Sequence, residues 1–255
     1  MATIHAAAAT GFAAEAQAYA RGRPEYPAAL HDWLANVLGV GPGRSVVDLG
    51  AGTGKFTKLL VASGADVSAI EPVDEMRALL ARNLPAVRTL AGTAQSMPIA
   101  EAAADAVVCA QAFHWFAEVA ALREIHRVLK PGGALGLVWN VRDASVDWVR
   151  RITEIISPYE GDAPRHHKGE WRKPFDSGLF SPLEASTFRH EHVGPPREVI
   201  LDRFLSVSFI AALPAAEKDL VAQRLSELAA THPDLRGRDA IAFPYVTEAY
   251  VCRRA

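Results

Sequence analysis

The residues best suited to chemistry cluster in the first half of the chain. In Val46-Val47-Asp48-Leu49-Gly50-Ala51-Gly52-Thr53-Gly54 an acid stands just ahead of three glycines at alternate positions. Glycines at this spacing let the backbone turn tightly and approach a ligand with no Cβ in the way. The helix expected after them presents free N–H groups at its start. Dinucleotide-binding turns use a similar device, but they usually continue with apolar residues where Asp48 stands. An acid there suits a ligand with a cationic amino group better than one with a pyrophosphate. Glu71 closes the next apolar run, Val67-Ser68-Ala69-Ile70-Glu71-Pro72. A carboxylate at a strand end can accept hydrogen bonds from both hydroxyls of a ribose. Alone it would read as a solvated acid. Gly92-Thr93-Ala94, further on, could frame an adenine edge.

Other candidates carry two readings each. His114, in Gln111-Ala112-Phe113-His114-Trp115-Phe116, follows the fourth apolar run, where the ligand crevice of a parallel sheet opens. It is either a general base working near its ordinary pKa or a residue that orients and shapes the aromatic cluster around it. Trp115 and Phe116 read as pocket walls, with Phe113 and Trp139 as further candidates on the substrate side. Arg165-His166-His167-Lys168, with Arg172 and Lys173, is either a solvated basic loop or a set of cations gathered around an anionic substrate. His190 and His192 share one face of an expected strand, but two ligands without a third do not make a metal site. No metal is expected.

The elements that must position these residues alternate. Short apolar runs at 45–49, 66–70, 86–90, 105–110 and 134–139 read as buried strands, and amphipathic stretches at 54–63, 74–83 and 119–129 read as helices between them. Crossover helices between strands require a mostly parallel sheet covered on both faces. Two helices are expected ahead of the first strand, at 6–20 and 27–38, the latter stopped by Gly39. After Asn140 the pattern loosens. Helices are expected at 146–156, 197–213 and 215–230, a polar loop at 157–178, and strands at 184–193 and 240–252.

Bulk properties narrow the classes. A chain of 255 residues, half of them hydrophobic, suits one large α/β domain. The reading is a single domain over 1–255, with amino-terminal helices in 1–40, a cofactor-binding core in 44–140 and a substrate-side segment in 141–255. A net charge of −2 provides no footprint for nucleic acid. The two cysteines, Cys109 and Cys252, fit no disulfide or zinc framework. With no membrane-length apolar run and no leader pattern, the expectation is a cytoplasmic protein, monomer or homodimer.

The Asp48-x-Gly50-x-Gly52-x-Gly54 loop, Glu71, the run 106–110 and Arg127-Val128-Leu129-Lys130-Pro131-Gly132-Gly133 resemble the class I S-adenosylmethionine-dependent methyltransferases. Tyr19-Ala20-Arg21-Gly22-Arg23-Pro24-Glu25-Tyr26-Pro27 and the segment 111–116 extend the resemblance to the small-molecule "type 11" group, including trans-aconitate-methyltransferase-like enzymes. The likeness spans 12–143 and continues only in outline beyond. It implies a Rossmann-like, doubly wound seven-stranded α/β sheet, mostly parallel with an antiparallel last strand, under amino-terminal lid helices. It also implies S-adenosyl-L-methionine as cofactor and S-adenosyl-L-homocysteine as product. By the same resemblance Asp48, Gly50, Ala51, Gly52, Gly54 and Glu71 hold the cofactor. Val73 and Met76 then flank the adenine, Thr93 and Ala94 approach its edge, and Pro72 and Gln111 are counted among the cofactor-binding residues. Read from the residues, Tyr19 and Arg23 either reach the methionine carboxylate from a lid or Arg23 is a surface arginine beside a proline turn. The implied reaction is methyl transfer to a small-molecule acceptor, through O-methylation of a carboxylate or hydroxyl, with His114, Trp115, Arg165, Lys168 and Arg172 near the acceptor. An NAD-linked oxidoreductase and a non-catalytic binder of the same cofactor are the competing classes.

Overall fold

The computed structural model describes residues 23–255. Seven strands form one sheet: β1 (Ser45–Leu49), β2 (Asp66–Ile70), β3 (Arg88–Leu90), β4 (Ala104–Ala110), β5 (Leu129–Arg142), β6 (Glu184–Gly194) and β7 (Ile241–Arg253). Their spatial order is β3-β2-β1-β4-β5-β7-β6. The pairs from β3 through β5 are parallel, and β7 runs antiparallel to both β5 and β6. The expected mostly parallel sheet with an antiparallel last strand is therefore present.

Strand order reverses between β1 and β4. The crevice of such a sheet opens at that reversal, beyond the carboxyl ends of the strands. Asp48 and the glycines end β1, Glu71 follows β2, Gln111 follows β4, and Asn140 lies near the end of β5. The central strands are almost wholly buried, which explains their unbroken Val and Ala runs. One face of the sheet packs Val107, Cys109, Leu122 and Ile125, and the other packs Leu34, Phe56, Leu60 and Val108. A third cluster joins Trp148, Ile152, Phe204, Val221 and Leu225 to Phe243 and Tyr245 of β7.

Several elements depart from the sequence expectation. Lys130-Pro131-Gly132-Gly133, expected to follow a helix as a loop ahead of the strand at 134–139, lies inside β5, between the pairs Ala104↔Leu129 and Ala106↔Ala134. The helix expected at 27–38 tightens and then widens: an α-helical turn at Ala29–Trp33 continues as a π-helical turn at Leu34–Leu38. The helix expected at 197–213 is broken into Arg197–Asp202, Arg203–Leu205 and Ser208–Ala211. Buried Ser206 donates its hydroxyl to the Arg203 carbonyl, a local bond that competes with helical continuation. The polar stretch 157–178 forms short 3₁₀ turns around a fully buried Trp171, so it is anchored to the core. The helix expected at 6–20 lies outside the described residues.

Candidate active site

A pocket at the strand reversal is lined by Asp48, Gly50, Ala51, Gly52, Glu71, Pro72, Val73, Met76, Thr93, Ala94 and Gln111. Arg23 and Trp115 also line it. The glycine loop is held open by backbone geometry. Gly50 has φ 74° and Gly52 φ 57°, a left-handed region that residues with a Cβ seldom enter. A Cβ on Gly50 would meet the Ala112 Cβ at 2.7 Å. Gly54 is a correction. Its missing Cβ faces Leu80 and Leu84, and it does not line the pocket, so it serves the close approach of two helices.

Two buried carboxylates set the electrostatics. Glu71 accepts from the Gly52 N–H at Oε2 and from the Val73 N–H at Oε1, each at 2.9 Å. Each oxygen keeps a second lone pair for a ligand hydroxyl. Burial holds the Glu71 carboxyl above its usual range, against the pull of those N–H bonds. Asp48 accepts from the Thr57 hydroxyl at Oδ2, 2.6 Å, while its Oδ1 is buried without a hydrogen-bond partner. Burial pushes this carboxyl up to about 7, and the neighbouring Glu71 adds to the effect. An unsatisfied buried carboxylate oxygen facing a pocket calls for a cationic donor from the ligand. An amino group there, a ribose at Glu71 and an adenine between Val73, Met76 and Thr93 fit the residues present.

Some contributors were not legible in advance. Lys55 donates to the carbonyls of Arg23 and Pro24 and pairs with Glu25 at 3.1 Å, tying 23–25 across the pocket. Asn140 adds a bond from Nδ2 to the Glu25 carbonyl, 3.3 Å, while its Oδ1 accepts from Thr247. Gln111 adopts φ 58°, strain of a kind that concentrates at functional sites. Arg203, from the broken helix, also lines the pocket. The signals existed: Lys55 directly follows the glycine loop, Asn140 ends a central strand, and Arg203 interrupts an apolar run. Tyr19 lies outside the described residues.

The acceptor-side candidates separate. A second cleft is lined by His114, Trp115, Arg165 and Lys168, and it shares Gln95, Trp115 and Phe116 with the first pocket. Phe113, Trp139 and Arg172 line neither, which corrects their expected placement. Phe113 is fully buried against Phe116 and Phe175. Trp139 is 1% exposed and packs on Trp171. The Arg172 guanidinium stacks over Trp171 and donates to the Tyr250 hydroxyl at 2.9 Å, away from the crevice. Lys168 is occupied by the carbonyls of Gly161 and Ala163 and by Glu160. The His114 Nδ1 accepts from the Trp139 Nε1–H at 3.1 Å. Burial, followed by the charge of Arg165, pushes this imidazole down to about 3.

A seven-stranded sheet in this order, with an acid-and-glycine loop on β1 and an acid after β2, defines the class I methyltransferase architecture. The comparisons agree. The family profile described as "Methyltransferase domain" matches residues 47–137. An uncharacterized methyltransferase of Mycobacterium bovis is 40% identical over 244 residues, 96% of this chain and 94% of its own. An uncharacterized methyltransferase-like protein of Schizosaccharomyces pombe is 37% identical over 235 residues, 91% of each chain. A solved structure of a type II methyltransferase from Anaeromyxobacter dehalogenans superposes with a TM-score of 0.66 at 25% identity. The match covers 91% of this chain and 96% of that one. This chain belongs to the class I S-adenosylmethionine-dependent methyltransferases, and S-adenosylmethionine is its cofactor. The trans-aconitate subtype is not part of that assignment.

Proposed function

We propose that the pocket between the ends of β1 and β4 holds the cofactor and that the adjoining cleft admits a small acceptor, methylated on a carboxylate or hydroxyl oxygen. The observation that carries this reading is the unpartnered Asp48 Oδ1 in the same pocket as Glu71 and the glycine loop. Asp48 would pair with the amino group and Glu71 would accept from the ribose. Gly52 would let the backbone close on the ligand, with Arg23 near the methionine carboxylate. Bound S-adenosylmethionine would supply a methyl on a cationic sulfur for direct displacement by the acceptor oxygen, with the C–S electron pair left on sulfur. The chain's share is orientation in a water-poor cleft, which can supply roughly 7–11 kcal/mol in ideal cases.

His114 acts in this reading as an orienting donor. Its Nδ1 lone pair is taken by Trp139, so the neutral ring carries its proton on Nε2 and offers an N–H to the acceptor. A carboxylate acceptor, ionised at neutral pH, needs such a donor and no base. The whole chain is taken as one domain, acting in the cytoplasm as a monomer or homodimer.

Calorimetry with S-adenosylmethionine, S-adenosylhomocysteine and NAD, followed by a radiolabelled methyl-transfer screen of small hydroxy and carboxylic acids, tests the proposal. Binding of the first two and label transfer to oxygen are expected. Binding of NAD alone would overturn the cofactor site, and label found on carbon or nitrogen would overturn the acceptor chemistry.

A further inference from the structure

Arg203 is a buried cation with no anion paired to it among the described residues. It is 7% exposed and lines the cofactor pocket. Its Nε and NH1 have no hydrogen-bond partner, and among the described residues no carboxylate pairs with it. Its guanidinium lies 5.3 Å from the centre of the Phe204 ring, and that of Arg142 lies 5.4 Å from the same ring. Arg165 is near enough for its charge to be felt, and it lines the second cleft with its guanidinium over Phe209 and Trp115. Burial, and after it the charge of Arg203, pushes the Arg142 guanidinium down to about 10. Glu160 sits 3.9 Å from Arg165 and is shared with His167 and Lys168.

A buried guanidinium is stable only when its donors are answered. The protein leaves the buried Nε and NH1 of Arg203 without partners in a residue that lines the pocket. Adenosine recognition is assigned to Glu71, Val73 and Met76. Arg23 is already present for the methionine carboxylate. We infer that Arg203 anchors an oxyanion, a carboxylate or phosphate carried by the methyl acceptor, with Arg142 and Arg165 contributing charge from behind. This inference rests on the cofactor reading above and adds the acceptor's chemical class. It requires an acidic group on the acceptor whether the methylated atom belongs to that group or to a hydroxyl beside it. The planar fork of arginine suits two-point binding of either anion.

The test is a calorimetric titration of the protein, with and without saturating S-adenosylhomocysteine, using succinate, glutarate, inorganic phosphate and neutral dimethyl succinate. Wild type should bind at least one of the three anions and not the ester; which one binds tells carboxylate from phosphate. Arg203→Met should weaken that anion about 10–100-fold, and Arg203→Lys should recover part of the loss. Both should keep the affinity for S-adenosylhomocysteine within about twofold. The melting temperature of Arg203→Met should equal or exceed wild type, because an unanswered buried charge has been removed. Should the Met variant fail to fold, Arg203→Gln is read in its place. The inference is overturned if no anion binds wild type, if Arg203→Met binds it equally well, or if the loss falls on S-adenosylhomocysteine. Failure of S-adenosylhomocysteine to bind wild type would sink the cofactor reading instead, while the anion titration without it still judges Arg203.

Discussion

Changing the pH at which the cofactor binds probes Asp48 most directly. With a carboxyl pushed up to about 7 by burial, Asp48 is about half protonated in the empty pocket at neutral pH. An ammonium placed against its open Oδ1 favours the carboxylate and returns the group to its ordinary range. Binding must then release the proton that the empty site carried. The expected release is about 0.9 protons per ligand at pH 6, about 0.5 at pH 7 and about 0.1 at pH 8. S-adenosylhomocysteine is titrated at each pH in two buffers of different ionisation enthalpy, and the difference in heat counts the protons. Asp48→Asn should abolish the release and weaken binding. The sign for stability follows from the same shift. A folded pKa above the unfolded 3.8 contributes stability that is present below about 3.8 and lost as pH rises through about 7. Asp48→Asn should therefore flatten that decline in the empty protein. Release below about 0.1 protons at pH 6, or equal release from Asp48→Asn, would refute the placement of the amino group.

Three further outcomes are expected. Gly52→Val puts a branched side chain at φ 57° in the pocket lining; affinity for S-adenosylhomocysteine should fall at least 100-fold while circular dichroism stays native, and retained affinity by calorimetry would move the site elsewhere. If His114 stays neutral, kcat/KM should show no inflection near pH 6.5, and His114→Gln, which keeps a donor, should retain more activity than His114→Ala; a limb near 6.5 that His114→Gln abolishes would make the residue a base. Arg172→Met should cost about 0.5–1 kcal/mol, or roughly 1–4 °C in Tm, through lost stacking on Trp171, with acceptor KM unchanged; a raised KM by steady-state assay would return Arg172 to the site.

Much of the cofactor side was readable because its signals are local. A glycine at positive φ, an acid at a strand end and the alternation of apolar and amphipathic runs are each written within a few residues. The parallel order of the central strands then follows from connection rules alone. The acceptor side was less legible. Arg165, Lys168 and Arg172 looked equivalent as charges in one polar run, yet one stacks on core aromatics, one is bound to carbonyls and only Arg165 reaches across Trp115 with its guanidinium.

What the chain's own residues determined was the sheet, the cofactor loop and the class of reaction, because backbone conformation and hydrophobic period act over short spans. Tertiary packing alone decided three other matters. It set the proton on His114, through a Trp139 that lies 25 residues away in the chain. It seated the broken stretch 197–213 by burying Val199, Phe204 and Ile210 in one cluster with Trp148, Phe243 and Tyr245. And it left Arg203 buried, with Nε and NH1 unanswered, in the lining of the pocket at the strand reversal. Charge and protonation depend on which groups meet after folding, and sequence separation carries no record of that distance.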